Sequence, residues 1–208
     1  MVLLIDSTVT DRCDVAYRSM FAARKSVFVD LLKWDLPVLD GQYEVDQFDD
    51  DQARYLILTD SNFVHLASAR LLPTLRPHIL GALFPALCAQ PVPTGRHVWE
   101  ITRFCLGRQV RSAQRRLLRN QLVSALVDHA LANGIRTYTG VAEMGWLQQI
   151  LSFGWQCRPL GEPLPTPAGL LGSLEITITT ATPAALAAGG IWSPVPASRV
   201  PARRAASA

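Results

Sequence analysis

Three arginines stand inside segments that are otherwise apolar. Arg24 lies in an aromatic stripe, Arg70 in "LASARLL" and Arg103 in "WEITRF". A buried arginine keeps its charge and is costly without a carboxylate partner. The acidic run "YEVDQFDDD" and Glu100 offer such partners, so we predict a network of buried ion pairs. The alternative is that each arginine extends its charged end into solvent.

The acidic run divides into two sets of residues. Asp46 and Asp49 are the predicted partners of the arginines, with Glu44 as a candidate support. Asp50 and Asp51 are expected to be solvated. The run does not match a calcium loop, because it has no central glycine and no glutamate at the twelfth position. No metal site is therefore predicted.

Glu100 and Arg103 belong to one predicted strand, "VWEITRF" (98–104). Residues three apart in a regular strand point to opposite faces of the sheet. Both side chains can line one cleft only if the strand contains a bulge between them, and bulges are common beside active sites. We therefore predict a bulge in this strand.

Helical and strand patterns alternate along the chain, which predicts a single α/β domain over 1–193. The helix predicted over 12–32 places Tyr17, Phe21, Arg24 and Phe28 on one face. Residues 34–42 are predicted to form a loop, 79–89 a short helix and 110–133 a long helix. The Pro/Ala/Arg-rich tail, 194–208, is predicted to be disordered.

The composition is that of an ordinary globular protein of 208 residues with net charge +3. Residues 1–60 carry 12 acidic and 6 basic side chains, whereas the remainder is basic. This polarity favours either a cleft with oppositely charged walls or an acidic partner. The four cysteines are far apart, and neither a signal peptide nor a transmembrane run is present, so we expect a cytoplasmic protein that does not bind membranes.

Five segments in order resemble the acyl-homoserine lactone synthase family, the LuxI-type autoinducer synthases. They are "MFAARKSVFVDLLKWD", "YEVDQFDDDQARYL", "ASARLLPT", "LFPAL" and "VWEITRF", which together cover most of residues 20–104. The resemblance implies a fold like that of the GCN5-related acetyltransferases, a twisted mixed sheet with a V-shaped cleft flanked by helices. It also implies acyl transfer to the α-amine of S-adenosylmethionine, followed by lactone closure with release of methylthioadenosine.

The family's functional positions match this sequence in residue type, and they carry over to Arg24, Phe28, Trp34, Asp46, Asp49, Arg70, Phe84, Glu100 and Arg103. By this resemblance, Glu100 holds the amine and accepts its proton, and Thr102 with Arg103 binds the methionine carboxylate. Phe28 and Trp34 are expected against the adenosine or the sulfonium; their alternative role is core packing. S-adenosylmethionine is a substrate in this scheme, and no cofactor is expected.

A basic helix face is the expected docking site for an acyl-carrier protein, and it consists of Arg111, Arg115, Arg116 and Arg119. A solvated basic face is the alternative, and acyl-CoA is the alternative donor. A nucleic-acid-binding module would also use these arginines, but it leaves the arginines in apolar strands unexplained. We expect a monomer that does not bind nucleic acid.

The acyl chain is expected against the second half of the chain. The candidates are Leu122, Leu126, Val141, Ala142, Met144, Trp146, Leu147, Ile150 and Phe153. A rival hypothesis is an acyl-CoA-dependent N-acyltransferase of the same fold that acts on another amine. It explains the fold but not the matches at Trp34, Asp46, Asp49 and Arg70.

Overall fold

The computed structural model describes residues 2–5, 11–167, 169–195 and 197–199. The helices are α1 (Asp11–Arg24), α2 (Ile79–Leu83), α3 (Ser112–Asn133), α4 (Met144–Leu151) and α5 (Thr182–Ala188). The strands are β1 (Val2–Ile5), β2 (Val38–Leu39), β3 (Tyr43–Glu44), β4 (Arg54–Thr59), β5 (His65–Pro73), β6 (Val98–Leu106), β7 (Thr137–Glu143), β8 (Gln156–Pro159), β9 (Leu164–Thr166), β10 (Gly169–Thr177) and β11 (Ala197–Arg199). A π-helical segment, Lys25–Leu31, continues α1, and a 3₁₀ turn, Pro85–Leu87, follows α2.

The chain forms two compact units. The first comprises residues 1–70, 103–122 and 195–208. In it, β1 pairs antiparallel with β4, from Val2 opposite Leu58 to Ile5 opposite Tyr55, and parallel with β11. The apolar residues of β4 are buried, as is the inner face of α1 at Ala16 and Met20. The short hairpin β2–β3 places Glu44 in the interior of this unit.

The second unit comprises residues 71–102 and 123–194. Its sheet is mixed, because β7 is parallel to β6 and antiparallel to β10, which also pairs with β8 and β9. One face of this sheet packs on α3, where the buried hydroxyl of Tyr138 donates to the carbonyl of Leu126. The segment that contains α2 contacts β7 and the 3₁₀ turn contacts β10.

The alternating helices and strands and the mixed pairing confirm the predicted α/β class, whereas the V-shaped cleft and the single domain stay predictions. The helix predicted over 12–32 changes to π-helical geometry at Lys25, and the predicted loop over 34–42 contains β2. The helix predicted over 79–89 is shorter and ends in the 3₁₀ turn. In the predicted disordered tail, Ala197–Arg199 pair with β1, and residues 196 and 200–208 lie outside the described residues.

Among the helices that the structure describes, none combines the length and the apolar character needed to cross a bilayer.

Candidate active site

Three arginines and three carboxylates of the first unit alternate in a closed ring of ion pairs. The ring runs in the order Arg24, Asp49, Arg70, Asp46, Arg103 and Glu44, and it returns to Arg24. Its six side chains are between 0% and 9% exposed. The formal charges cancel, which is the condition for burying charged groups at this depth. The prediction that these arginines pair with Asp46 and Asp49 is confirmed.

The geometry on the Arg24 side of the ring is that of a fork. Nη1 and Nη2 of Arg24 donate to the two oxygens of Asp49 at 2.8 Å each, and Nε donates to Glu44 at 2.5 Å. Asp49 also accepts from the hydroxyl of Tyr55 at 2.7 Å and from the backbone N–H of Asp46 at 2.9 Å. Paired, planar hydrogen bonds of this kind are strong and fix the orientation of both partners.

The rest of the ring uses the same chemistry. Arg70 donates to the two oxygens of Asp46 at 2.6 and 3.0 Å, and its Nη1 lies 2.8 Å from Asp49. Arg103 donates through Nη2 to Asp46 at 2.7 Å and to Glu44 at 3.0 Å. These bonds of Arg103 to the ring use Nε and Nη2 and leave Nη1 outside it.

The ring shifts the protonation equilibria of its members. Burial by itself raises the pKa of Asp49, but the hydrogen bonds and charge of Arg24 and the charge of Arg70 outweigh it, so that pKa lies well below its ordinary value. Burial opposes the charge of Arg24, yet Asp49 and Glu44 raise its pKa above the ordinary value. Burial and the charge of Asp49 raise the pKa of Tyr55. At neutral pH the carboxylate of Asp49 and the guanidinium of Arg24 are therefore charged, and Tyr55 is a neutral donor.

Each arginine of the ring also faces an aromatic side chain. The guanidinium carbon lies 4.9 Å from the ring centre of Phe21 for Arg24, and 5.9 Å from that of Phe48 for Arg70. Arg103 lies 5.7 Å from the ring centre of Phe28. Cations at such distances are attracted by the aromatic face.

Phe28 also stacks on Trp34, with ring centres 5.0 Å apart and planes inclined by 16°. The π-helical segment brings this stack about, because the backbone N–H of Trp34 donates to the carbonyl of Phe28 where the wider turns end. Phe28 is buried, whereas Trp34 is half-buried. The resulting surface combines a cation with an aromatic stack, and π-helical turns often occur at functional sites.

The strand β6 is irregular at Arg103. Glu100 and Thr102 are buried, as alternation requires, but the next buried residue is Cys105, so the alternation slips by one residue. Arg103 has a φ of +50°, a left-handed conformation that is rare for a side-chain-bearing residue in a strand. The registered pairing of β6 with β7 runs from Val98 to Ile101. The departure from regular geometry lies at the place where the sequence predicts a bulge.

Glu100 lies in the second unit, fully buried. Its two oxygens accept the backbone N–H groups of Ile79 and Leu80 at 2.7 and 2.8 Å, at the start of α2. Thr102 is buried two residues later, and Phe84 is half-buried directly after α2. The catalytic and binding roles of these three residues stay predictions.

Two neighbouring residues predicted to contact the acyl chain, Val141 and Ala142, lie on opposite faces of the second unit's sheet. Val141 and Phe84 both pack against the buried cluster of Leu80, Leu87 and Leu171, which includes a residue of α2. Ala142 is opposite Gly172 in register, and an added Cβ at Gly172 would meet Leu147 and Met144, so Ala142 belongs to the face of α4. Trp146 of α4 packs edge-on against Phe153 at 5.8 Å. A role of Ala142, Met144 and Trp146 in substrate binding stays a prediction.

The predicted docking arginines lie around the first turns of α3. Arg111, Arg115 and Arg116 are exposed, and Arg115 donates to the carbonyl of Gly107 at 3.2 Å. Arg119 is half-buried and donates to the side-chain oxygen of Asn120 at 2.9 and 3.1 Å. The exposed basic face therefore centres on the first three of these arginines.

Glu44 and Tyr55 both contribute more to the ring than the sequence pattern predicts. Glu44 closes the ring between Arg24 and Arg103, although it was expected only as a support. Tyr55 follows Arg54 at the start of an apolar strand, where a tyrosine ordinarily indicates packing. A search for buried hydroxyls near the acidic run would have found it. Within the described ranges, no group of three or more His, Cys, Asp or Glu side chains is placed to hold a metal ion.

The chain matches the family model described as "Autoinducer synthase" over residues 8–176. It is 34% identical over 167 residues to an acyl-homoserine-lactone synthase of Rhizobium etli, a match that covers 79% of this chain and 77% of that protein. TofI, crystallised in a ternary complex with an inhibitor and MTA, is 29% identical with a TM-score of 0.75, over 90% of this chain and 96% of TofI.

Two further solved structures share the fold. BjaI, a CoA-dependent acyl-homoserine lactone synthase solved with SAM and isopentyl-CoA, has a TM-score of 0.84 at 24% identity, over 98% of this chain and 95% of BjaI. An acyl-CoA N-acyltransferase from Pseudomonas aeruginosa has a TM-score of 0.56 at 15% identity, over 84% of this chain and 98% of that one. The predicted likeness to the acetyltransferase fold is thereby confirmed.

The fold is acetyltransferase-like, and the family match makes the chain an acyltransferase. Within that class the chain belongs to the autoinducer synthase family, and its activity is acyl-homoserine lactone synthesis. The family resemblance found in the sequence is confirmed.

Proposed function

We propose that the chain transfers an acyl group from an acyl-carrier protein to the α-amine of S-adenosylmethionine and then closes the lactone. The observation that carries this proposal is the most exposed edge of the ring, where Arg103 lies beside the stacked Phe28 and Trp34. A substrate with a carboxylate and a sulfonium needs a cation for the first and an aromatic surface for the second. The ligands of TofI and BjaI, MTA and SAM, support the same substrate.

In the first step the amine lone pair attacks the thioester carbonyl carbon, and the carrier thiolate leaves. A free α-amine has a pKa of about 7.7–8.0, so its deprotonation at neutral pH costs only about 1 kcal/mol. Glu100, directly or through a water molecule, accepts the proton and returns it to the thiolate. Most of the acceleration then comes from holding amine and thioester together and from N–H donors to the oxyanion.

In the second step the methionine carboxylate attacks its own γ-carbon. The bond between that carbon and the sulfonium breaks, and neutral methylthioadenosine leaves with the electron pair. Arg103 and Thr102 hold the carboxylate before attack. Arg24, Arg70, Asp46 and Asp49 keep Arg103 in place, with Asp46 also near the substrate amine, and no cofactor takes part.

The carrier protein is proposed as the donor because Arg111, Arg115 and Arg116 form an exposed basic face on α3. Acyl-carrier proteins are acidic, and such a face favours fast association with an acidic partner. Arg119 contributes less in this arrangement, because it contacts Asn120. We further propose a cytoplasmic location, which the free thiols of Cys88, Cys105 and Cys157 support, and a monomeric state.

The test is to incubate the purified chain with S-adenosylmethionine and either acyl-carrier protein thioester or acyl-CoA. We expect methylthioadenosine and an acyl-homoserine lactone, both identified by mass spectrometry, with the carrier thioester preferred. If methylthioadenosine is not released with either donor, the proposal is wrong. Acylation of another amine without its release supports the rival N-acyltransferase.

The donor is tested separately by charge reversal. Arg111→Glu with Arg116→Glu should raise KM for the carrier thioester about tenfold or more at low salt and leave KM for acyl-CoA nearly unchanged. Arg136→Glu, an equally exposed site of the second unit, is the matched control. Equal effects on both donors, or none, contradict docking on α3.

A further inference from the structure

The π-helical segment, Lys25–Leu31, carries an ion pair whose spacing fits its own geometry and not that of an α-helix. Nζ of Lys25 lies 3.0 Å from a carboxylate oxygen of Asp30, five residues further along the chain. Side chains on one face of an α-helix are three or four residues apart. A side chain five positions on points roughly 140° away, because each residue turns an α-helix by about 100°. Turns that close between residues five apart bring the two charges together.

The backbone shows the same wide spacing. The N–H of Leu32 donates to the carbonyl of Val27, five residues earlier, at 2.9 Å. The N–H of Trp34 donates to the carbonyl of Phe28 at the same distance. Arg24 and Leu32, which flank the segment, have ordinary α-helical backbone angles. The wide turns are therefore local to the segment, and a contact that fits them alone favours this register over the α-helical one.

The helix itself does not account for the position of Asp30. Asp30 lies in the last turn of the helix that α1 and the π-helical segment form together, where the macrodipole disfavours an acidic side chain. Its charge is compensated instead by Lys25. The side chains of Lys25 and Asp30 are 28% and 41% exposed, and pairs this exposed are weak. The pair can therefore shift an equilibrium between two helical registers by a few-fold, but it cannot decide whether the chain folds.

The register of the segment decides which arginine Phe28 faces. In a continuous α-helix Phe28 would lie beside Arg24, four residues before it, on one stripe with Phe21. In the structure Phe21 faces Arg24, with 4.9 Å between its ring centre and the guanidinium carbon. Phe28 faces Arg103 instead, at 5.7 Å, and Trp34 stacks on it with ring centres 5.0 Å apart. The wide turns thus carry Phe28 from the stripe of Arg24 to the most exposed arginine of the ring.

We propose that Lys25 and Asp30 are positioning residues for S-adenosylmethionine. Their ion pair holds the π-helical register, in which the stack of Phe28 and Trp34 lies beside Arg103. This inference rests on the proposed function and adds to its substrate site two residues that do not touch the substrate. The α-helical register leaves the chain folded but turns Phe28 away from Arg103. The apparent affinity for S-adenosylmethionine then falls with the fraction of chains in the π-helical register, whereas that for the acyl donor does not change.

The decisive variant exchanges two neighbouring residues of the full chain, Lys25→Ser with Ser26→Lys. Composition and charge stay the same, but the lysine now lies four residues before Asp30, the spacing that an α-helix favours. KM for S-adenosylmethionine should rise about fivefold, with KM for the acyl donor and the midpoint of urea unfolding unchanged. The matched control is Asp14→Arg with Arg18→Asp, which reverses an exposed pair four residues apart in α1 and should change neither KM.

Charge reversal covers the case in which a lysine at the half-buried Ser26 disturbs packing. Lys25→Asp alone places two acidic side chains together, and KM for S-adenosylmethionine should again rise about fivefold. Adding Asp30→Lys restores the pair at its spacing of five residues and should return that KM to within about twofold of the wild type. Rescue by the second charge separates a role of the pair from a role of either side chain alone.

Trp34 gives a readout that does not depend on turnover. Subtracting the emission of the matching Trp34→Phe chain isolates its fluorescence from that of the other four tryptophans. Loss of the stack on Phe28 exposes Trp34 to more water, so in the exchanged variant this difference spectrum should move to longer wavelength. The reversed pair of Asp14 and Arg18 should leave it unchanged.

Two outcomes overturn the inference while the proposed function stands. One is that the folded variants keep both the wild-type KM for S-adenosylmethionine and the wild-type spectrum of Trp34. The other is that Asp30→Lys does not rescue Lys25→Asp, since the pair is then not the source of the effect. If the wild type itself releases no methylthioadenosine, the proposed function fails, and the role of Lys25 and Asp30 in substrate binding fails with it.

Discussion

The two units bury their carboxylates by different means. In the first unit Glu44, Asp46 and Asp49 meet arginine side chains in a closed ring whose charges cancel. In the second unit the described contacts of Glu100 are backbone N–H groups of α2. The ring joins residues far apart in the sequence through their side chains, whereas Glu100 accepts hydrogen bonds from the backbone at the start of α2.

The two regions therefore tolerate different substitutions. Removing one member of the ring leaves an uncompensated buried charge, which typically costs about 3–5 kcal/mol. Neutralising Glu100 leaves polar N–H groups short of an acceptor, which costs about 1–3 kcal/mol for each. The ring should therefore respond to substitution mainly in stability, and Glu100 mainly in the position of α2.

The largest effect is expected for Asp49→Ala. Asp49 accepts from Arg24, Arg70 and Tyr55, so its loss should lower the free energy of unfolding by about 3–5 kcal/mol and abolish product. Urea unfolding at neutral pH measures the first effect and lactone mass spectrometry the second. Asp46→Ala should likewise abolish product. A stable, active Asp49→Ala chain would show that the ring is dispensable.

Acid should weaken the first unit through His65, which is buried in β5. Burial lowers the pKa of His65 to about 4, so the unfolded chain takes up its proton first as the pH falls below about 6.5. Stability is therefore lost between about pH 6.5 and 4, by up to about 3 kcal/mol. Asp49, whose pKa is lowered, adds a further loss as the pH falls below about 4.

The measurement is the free energy of unfolding against pH for the wild type and His65→Gln. The variant's curve should be flatter by about one proton between pH 6.5 and 4 and parallel to the wild type above that window. Parallel curves throughout would mean that protonation of His65 does not contribute to the loss of stability in acid.

A smaller effect, confined to catalysis, is expected for Arg103→Lys at the most exposed point of the ring. Lysine keeps the charge but has no second nitrogen, so the ring keeps its neutrality while the substrate carboxylate loses the Nη1 donor that Arg103 leaves outside the ring. KM for S-adenosylmethionine should rise about tenfold to a hundredfold, equivalent to about 1.4–2.8 kcal/mol, with little change in unfolding. Arg18→Lys, in an exposed pair with Asp14, is the control. An equal loss of stability and activity would assign Arg103 a purely structural role.

Sequence patterns predicted the ring better than the environment of Glu100, for a physical reason. An arginine in an apolar strand is visible as a violation of pattern, and its need for a carboxylate restricts the partners to the few acids nearby. Backbone N–H donors leave no mark in composition, so the contact of Glu100 with Ile79 and Leu80 could not be predicted. The π-helical turns were missed likewise, because Tyr17, Phe21, Arg24 and Phe28 fit an ordinary helix.

The irregularity of β6 at Arg103, where the sequence predicts a bulge, lies between these two cases. Its position followed from requiring Glu100 and Arg103 to serve one site, not from any propensity of Thr102 or Arg103. The left-handed backbone of Arg103 is unfavourable for that residue and is held by the ring and by Phe28. The requirement for one shared site thus predicted an irregular backbone at a residue whose own conformational preference opposes it.

The smallest effects are expected just outside the ring, at Asp50 and Asp51. Asp51 is exposed, so Asp51→Ala should change the free energy of unfolding by less than about 0.5 kcal/mol and leave product formation intact. Asp50, expected from the sequence to be solvated, is half-buried and accepts the N–H groups of Gln52 and Ala53 at 2.9 and 3.2 Å. Asp50→Ala should therefore cost about 1 kcal/mol and also retain product. Lactone yield and urea unfolding should be measured on both variants beside Asp49→Ala. Equal losses at all three positions would mean that the acidic run acts as one patch and that Asp50 and Asp51 support the ring as much as Asp49 does.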